Sequence, residues 1–154
     1  CYGMQLATIE FARNVLGHVD AHTVECNAES KHLIININNT QAKNIAQQKY
    51  GGTMRLGSYK CALKKGSRSR KLYKAEIVSE RHRHRFEFDN VYREEMEKNG
   101  LMVAGVNPES DLVEIVELKD HPYFVGTQFH PEFKSRPLHP HPLFVGLARA
   151  ALKK

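Results

Sequence analysis

Two short motifs near opposite ends of the chain carry residue types that could perform acyl-transfer chemistry. Cys1 stands at a predicted helix start, where unpaired backbone N–H groups and the helix dipole favour thiolate over thiol. Near the other end, His130 and Glu132 are separated by a single proline that restricts the backbone between them. Glu132 could hold one ring nitrogen of His130 so that the other faces a thiol, which is the arrangement of a nucleophile, a base and an orienting acid.

Each motif also has a purely structural interpretation. Cys1 could simply be the residue at which this sequence starts, and His130 and Glu132 could be a capping histidine and a surface acid. Either motif alone is therefore a weak indication of function. The combination of a cysteine at a helix start with an imidazole and a carboxylate at a strand end favours catalysis.

The predicted helices and strands alternate in an order that could bring the two motifs together. Apolar periodicity predicts a helix over Gly3–Gly17, directly after Cys1, a short helix over Val91–Asn99 and a terminal helix over Pro142–Lys154. Asn38–Gln48 is predicted to be a loop, followed by a turn at Gly51-Gly52. Strands are predicted over His32–Ile37, Met54–Leu63, Glu80–Phe88, Leu101–Val106, Leu112–Leu118 and Tyr123–Phe129. This order indicates an α/β domain with a central sheet.

The composition of the 154 residues fits one globular domain that needs no disulfide bonds. Its three cysteines are widely spaced, so reduced thiols are expected. Neither a long apolar run nor a signal peptide is found, so we expect a cytoplasmic protein that does not bind membranes. The net charge of +6 is concentrated in Lys64–Lys74, predicted as a turn leading into a short helix, and in Arg81–Arg85. These segments form no regular basic stripe, so no nucleic-acid partner is expected.

The residues around both motifs are similar to those of a known family. The string Cys1–Gln5 resembles the nucleophile elbow of class I glutamine amidotransferases, and His130-Pro131-Glu132 resembles their His-x-Glu motif. Two longer strings, Gly51–Gly57 and Glu80–Glu87, look like segments distinctive of CTP synthases within that family. Further similarity covers nearly the whole chain and includes Glu10–Gly17, Val113–Leu118 and His121–Arg136.

The resemblance implies a fold and a set of site residues. The fold would be a three-layer, flavodoxin-like α/β sandwich with a central, mostly parallel sheet flanked by helices. The catalytic triad would be Cys1, His130 and Glu132, and the glutamine-binding residues would be Gln5, Glu25, Arg85, Phe86 and Tyr2. Glu25 would hold the α-ammonium group of the substrate and Arg85 its α-carboxylate, which would select free glutamine. Local sequence alone leaves open that Glu25 is a surface acid and Arg85 a strand-edge charge.

The implied reaction is hydrolysis of L-glutamine to glutamate and ammonia through a thioester on Cys1. In complete enzymes of the family, the ammonia passes to a synthetase domain of the same polypeptide, which aminates UTP to CTP. This sequence contains no phosphate-binding loop, so we expect no cofactor here, and ATP and Mg would belong to the synthetase domain. Homotetramers and activation by GTP are usual in the family and are expected for the complete enzyme.

The sequence also departs from the family pattern. It begins at the nucleophile, without the strand and the glycine-rich oxyanion loop that precede the cysteine in the family. We therefore expect these residues to be the C-terminal portion of a longer glutaminase domain and to be inactive by themselves. Tyr2 stands where the family usually has leucine, and Ala21–Glu25 differs from the usual Ala-x-Ser-Thr-Glu.

Other functions are compatible with single features of the sequence. N-terminal-nucleophile amidotransferases use the α-amine of a first cysteine such as Cys1 as their base, although they require no His-Pro-Glu turn. A non-catalytic RNA-binding module would use the two basic segments against phosphates. The pairs His82 with His84 and His139 with His141 could suggest a metal, but neither has an evident third ligand, so no metal site is expected.

Overall fold

The computed structural model describes residues 1–37 and 54–152, and the predicted loop at 38–48 and turn at Gly51-Gly52 lie outside them. The α-helices in the described ranges are α1 (Tyr2–Asn14), α2 (Arg68–Tyr73), α3 (Arg93–Lys98) and α4 (Pro142–Ala151), with 3₁₀ turns at Asn90–Tyr92 and Pro131–Phe133. The strands are β1 (His22–Thr23), β2 (Leu33–Ile37), β3 (Arg55–Leu63), β4 (Ile77–His84), β5 (Phe86–Phe88), β6 (Leu101–Val106), β7 (Val113–Leu118) and β8 (Val125–Thr127). None of the described helices combines the length and apolarity needed to cross a membrane.

The strands form two sheets with mainly antiparallel neighbours. The larger sheet has the order β4-β3-β6-β7-β8, and the smaller has the order β1-β2-β5. Among the described strands, β1 and β2 run parallel and the other paired neighbours run antiparallel. The expectation of a mostly parallel sheet does not hold for these strands. The links from β6 to β7 and from β7 to β8 are too short for a parallel pair, since residues 107–112 and 119–124 form them and a crossover needs about a dozen residues.

Apolar side chains pack on both faces of the larger sheet. Ile115 and Val116 are neighbours on β7, so their side chains point to opposite faces, and they belong to two separate clusters of buried residues. The Val116 cluster includes Met4 and joins α1 to both sheets. The Ile115 cluster includes Leu143 of α4 and packs against side chains of α2. Helices therefore cover both faces, as expected for a layered α/β domain.

The predicted strand Glu80–Phe88 is in fact two strands with different partners. β4 pairs with β3 of the larger sheet, whereas β5 pairs with β2 of the smaller sheet. Arg85 lies at the break between them. The chain thus passes from one sheet to the other at a residue that the sequence assigned to glutamine binding.

Two other predictions concern the ends of helices. The predicted turn and short helix within Lys64–Lys74 are confirmed, because α2 begins after Ser67, whose side chain accepts a hydrogen bond from the Arg70 amide. The buried Glu117 carboxylate also accepts from the first amides of this helix, consistent with an anion at a helix N-terminus. α1 ends three residues before the predicted Gly17, which has a φ of 80° and closes the following turn.

Candidate active site

Cys1 is held between the start of α1 and the end of β8. It is the N-cap residue of α1, and its side chain caps none of the first amides. Its backbone nitrogen donates to the Thr127 carbonyl at the last residue of β8. The sulfur therefore lies where the helix dipole and free amides of α1 favour negative charge, as the sequence predicted.

His130 and Glu132 form a hydrogen-bonded pair just after β8. His130 Nδ1 lies 2.6 Å from Glu132 Oε1, and the His130 ring stacks on Phe133 with centroids 4.9 Å apart. The backbone amide of His130 donates to the Arg81 carbonyl of β4, which anchors this turn to the larger sheet. Burial tends to raise the pKa of Glu132, but the hydrogen bond from His130, a backbone hydrogen bond and nearby positive charge together lower it. Because Nδ1 is occupied by Glu132, Nε2 is the ring nitrogen left for a substrate or a thiol.

Both motifs open onto one cavity of about 400 Å³. Its lining includes Cys1, Tyr2, His130 and Glu132, together with the apolar Phe144 of α4. The structure therefore brings the three predicted triad residues and one predicted binding residue to the same space. This meeting of residues more than a hundred positions apart could not be read from local sequence.

Gln5 and Phe86 are linked to each other behind the cysteine. Gln5 is buried in α1, and its Nε2 donates to the Phe86 carbonyl at 2.9 Å and to Gln128 Oε1 at 3.3 Å. Gln128 in turn directs its Nε2 at Cys1 Sγ, at 3.5 Å. Sequence reasoning named Gln5 and Phe86 but missed Gln128. A polar residue two positions before His130, on the same side of a mainly apolar strand, was the available signal.

Glu25 and Arg85 are exposed and do not line the cavity. Glu25 follows β1, with its amide donating to Thr23 Oγ1 at 3.3 Å, and its carboxylate is near the Tyr2 hydroxyl. The neighbouring Cys26 side chain, burial and Glu25 together raise the pKa of Tyr2. Arg85 forms no ion pair with any of the residues that the structure describes.

A buried ionisable cluster lies between the larger sheet and β5. Its central ion pairs join Arg55 to Glu114 at 2.7 Å and to Glu87 at 3.3 Å. His82 and His84 belong to the same cluster, and burial followed by the charge of Arg55 lowers the pKa of His84 to about 3. Burial raises the pKa of Glu87 to about 8. The polar character of β4 is thus explained, because its alternate residues face this interior rather than solvent.

The predicted histidine pairs do not assemble a metal centre in the part of the chain that the structure describes. His82 Nδ1 and His84 Nε2 are 2.8 Å apart and bond to each other. His141 is buried, with Nε2 at 3.2 Å from Glu80 Oε1 and Nδ1 accepting from the Leu143 amide at the start of α4, whereas His139 is exposed. Within residues 1–37 and 54–152, no group of three or more potential ligands could hold a metal ion.

Comparison with known proteins agrees with this geometry. Residues 1–150 match the family model for glutamine amidotransferase class-I. The whole chain is 56% identical to CTP synthase of Bdellovibrio bacteriovorus over 154 residues, and 55% identical to CTP synthase of Fibrobacter succinogenes over 156 residues. It spans 29% and 27% of the lengths of these two relatives.

A solved structure supports the fold as well as the sequence match. The chain superposes on the Trypanosoma brucei CTPS glutaminase domain with bound acivicin with a TM-score of 0.88 and 40% sequence identity, covering 99% of this chain and 58% of that one. The predicted α/β fold class is thereby confirmed, and so is the predicted resemblance to CTP synthases. The chain belongs to the class I glutamine amidotransferase family.

Proposed function

We propose that this chain carries the catalytic residues for hydrolysis of L-glutamine to glutamate and ammonia. The observation that carries the proposal is the cavity onto which Cys1, His130 and Glu132 all open, with Cys1 at the N-terminus of a helix. The relatives named CTP synthase and the glutaminase domain seen with acivicin support the same reaction class.

In the proposed reaction, the Cys1 thiolate attacks the carboxamide carbon of glutamine and forms a tetrahedral intermediate. The backbone amide of Tyr2, at the start of α1, supplies one hydrogen bond to the developing oxyanion. His130 Nε2 protonates the departing ammonia and then activates the water that hydrolyses the glutamyl thioester. Glu132 holds the other ring nitrogen throughout, at 2.6 Å, and so keeps the imidazole in the required tautomer.

The proposed glutamine-binding residues are Tyr2, Gln5, Glu25, Arg85 and Phe86. Glu25 would bind the α-ammonium group and Arg85 the α-carboxylate by a charge-assisted pair of hydrogen bonds. Their exposure supports this role, because both charges remain hydrated and available before the substrate arrives. Gln5 and Phe86 would support the substrate from the side behind Cys1, where the Gln5 amide nitrogen already donates to the Phe86 carbonyl.

The chain spans less than a third of the length of the CTP synthases it matches, so the fate of the ammonia is part of the proposal. We propose that ammonia passes to a synthetase domain of the same polypeptide and aminates UTP to CTP, with ATP and Mg bound there. Glutamine hydrolysis by the thiol route needs no cofactor in these residues. A homotetramer and GTP activation are proposed for the complete enzyme.

The two other functions considered from sequence are not favoured by the structure. Membership in the class I family argues against an N-terminal-nucleophile enzyme. Two of the basic residues that an RNA-binding module would use are already paired with acids, Lys64 with Glu97 at 2.6 Å and Arg70 with Glu76. Salt-dependent RNA binding without glutamine hydrolysis would reverse this preference.

The test is to treat the full-length protein with a glutamine-like electrophile and to locate the adduct by mass spectrometry. We expect Cys1 to be labelled and glutaminase activity to be lost in parallel. Cys26 is an exposed control thiol, and Cys61 is a buried one whose pKa is raised by burial. Labelling at Cys26 with Cys1 unmodified, or full activity in a Cys1→Ala variant, would contradict the proposal.

A further inference from the structure

Gln128 is a buried polar side chain beside the Cys1 sulfur, and the proposed reaction assigns it no role. It is 0% exposed and directly follows β8. Both ends of its amide are used, since Nε2 lies 3.5 Å from Cys1 Sγ and Oε1 lies 3.3 Å from Gln5 Nε2. Burying an amide is costly unless it is hydrogen-bonded, so these contacts account for a glutamine at a fully buried position.

The direction of these hydrogen bonds follows from the Phe86 carbonyl. A backbone carbonyl can only accept, so Gln5, whose amide group is 2.9 Å away, must present its NH₂ there. The same nitrogen must then donate to Gln128, which turns the Gln128 oxygen toward Gln5 and its NH₂ toward the sulfur. The reverse orientation of Gln128 would set two NH₂ groups against each other. The Phe86 carbonyl also accepts from His84 Nδ1 at 3.2 Å, which holds it in place from β4.

We propose that Gln128 is a positioning residue for the nucleophile, holding an N–H donor against the Cys1 sulfur with a polarity that the Phe86 carbonyl imposes through Gln5. The inference rests on the proposed function of Cys1. An N–H donor stabilises an ionised sulfur more than a neutral one, because hydrogen bonds to charged groups are stronger. The same contact restricts the rotation of the side chain and keeps the sulfur directed toward the cavity shared with His130.

The link also connects the nucleophile to the predicted substrate-binding segment. Phe86 directly follows Arg85, so the hydrogen bonds from Cys1 through Gln128 and Gln5 end beside the proposed carboxylate-binding arginine. A shift of the Arg85–Phe86 backbone would therefore disturb Gln5 first and the sulfur second. We expect changes at Gln128 to affect kcat, through the sulfur, more than KM for glutamine.

The experiment compares Gln128→Met and Gln128→Glu with wild type in the full-length protein. Methionine keeps the approximate volume without a donor, and glutamate keeps the shape while placing an acceptor oxygen against the sulfur. Asn107→Leu is the matched control, because Asn107 is another buried amide, bonded to the Lys60 carbonyl at 3.0 Å in the turn after β6. The rate of iodoacetamide alkylation is followed against pH at each cysteine by peptide mass spectrometry, with the exposed Cys26 as internal reference.

For Gln128→Met we expect the pH midpoint of Cys1 alkylation to rise by about half a unit to one unit, with kcat lowered about tenfold and KM changed less than about twofold. Gln128→Glu should shift the midpoint further, and Asn107→Leu should leave it unchanged. If neither Gln128 variant moves the midpoint while Cys1 is still labelled, the inference is wrong and the proposed function stands. If wild type shows neither Cys1 labelling nor glutaminase activity, the proposed function itself is wrong.

Discussion

Two histidine–glutamate pairs in this chain have the same chemical groups in opposite environments. In the cavity pair, His130 and Glu132 are 2.6 Å apart, with side chains 25% and 55% exposed. In the buried pair, His141 and Glu80 are 3.2 Å apart, with side chains 3% and 2% exposed. The difference in burial decides what each pair can do, because a buried polar group must be bonded to the protein whereas an exposed one can bind a substrate.

The other contacts of the two pairs differ in the same way as their burial. In the buried pair, Glu80 Oε1 also accepts from the Tyr73 hydroxyl at 2.9 Å, and His141 Nδ1 caps α4. All these bonds hold α4 and α2 against β4, and both His141 nitrogens are used. In the cavity pair, the bond to Glu132 occupies Nδ1 of His130, and the ring lines the cavity. Equivalent residues therefore serve packing in one place and are available for proton transfer in the other.

The largest expected effect is a loss of activity without a loss of stability when the cavity pair is changed. Replacing His130 by Asn removes the proposed base, so kcat for glutamine hydrolysis should fall roughly a thousandfold or more. Because the ring is partly exposed, the free energy of unfolding should change by no more than about 0.5 kcal/mol. Steady-state kinetics and urea unfolding on the same preparation measure both effects. A loss of activity explained by unfolding would remove the distinction between the two pairs.

A substitution in the buried ionisable cluster should instead cause a large loss of stability. Arg55→Met removes the cation paired with Glu114 and the donor bonded to Glu87 inside the protein, so the free energy of unfolding should fall by about 3–5 kcal/mol. Arg83→Met, on the exposed face of β4, is the control and should change stability by about 0.5 kcal/mol or less. Equal unfolding midpoints in urea for the two variants would contradict the structural role of Arg55.

The two histidines that flank Pro140 offer a smaller and closely matched test. His141→Ala breaks the bond to Glu80 and uncaps α4, so we expect a loss of about 2–3 kcal/mol in stability. Alkylation of Cys1 in the folded variant should be retained. His139→Ala, at an exposed position, should be nearly neutral in thermal unfolding. Selective loss of glutaminase activity in a fully stable His141→Ala protein would show that the buried pair is also functional.

The smallest expected effect is a pH dependence that arises in the buried cluster. The folded-state pKa of Glu87 is raised to about 8. Its contribution to the free energy of unfolding is therefore fully present when the pH is below the ordinary pKa of a glutamate, and it is lost as the pH rises through about 8. Between about pH 7 and pH 8.5, wild-type stability should therefore decline by about 1–2 kcal/mol. Glu87→Gln should reduce this decline in thermal unfolding measured at both pH values, with Glu94→Gln, an exposed acid, as control. An identical decline in all three proteins would exclude Glu87 as its source.

The candidate catalytic residues were predictable from sequence because the patterns that point to them are local. Cys1 at a helix start and His130 with Glu132 after a strand are short-range patterns, and the structure confirms that they share a cavity. The break at Arg85 was not predictable, because the apolar and polar alternation continues through it while the pairing partner changes from β3 to β2. Gln128 was missed because its importance lies in contacts with two residues more than a hundred positions away.

The amino-acid sequence by itself determined the family, the α/β class and the groups that could react, because these depend on residue type and short-range spacing. Only the tertiary structure decided which of two similar histidine–glutamate pairs opens onto the cavity and which is buried. It also decided which way the Gln128 amide points, since that direction depends on a carbonyl of Phe86 on another strand. The physical reason is that burial and hydrogen-bond direction are properties of the packed neighbours, and these come from distant parts of the chain.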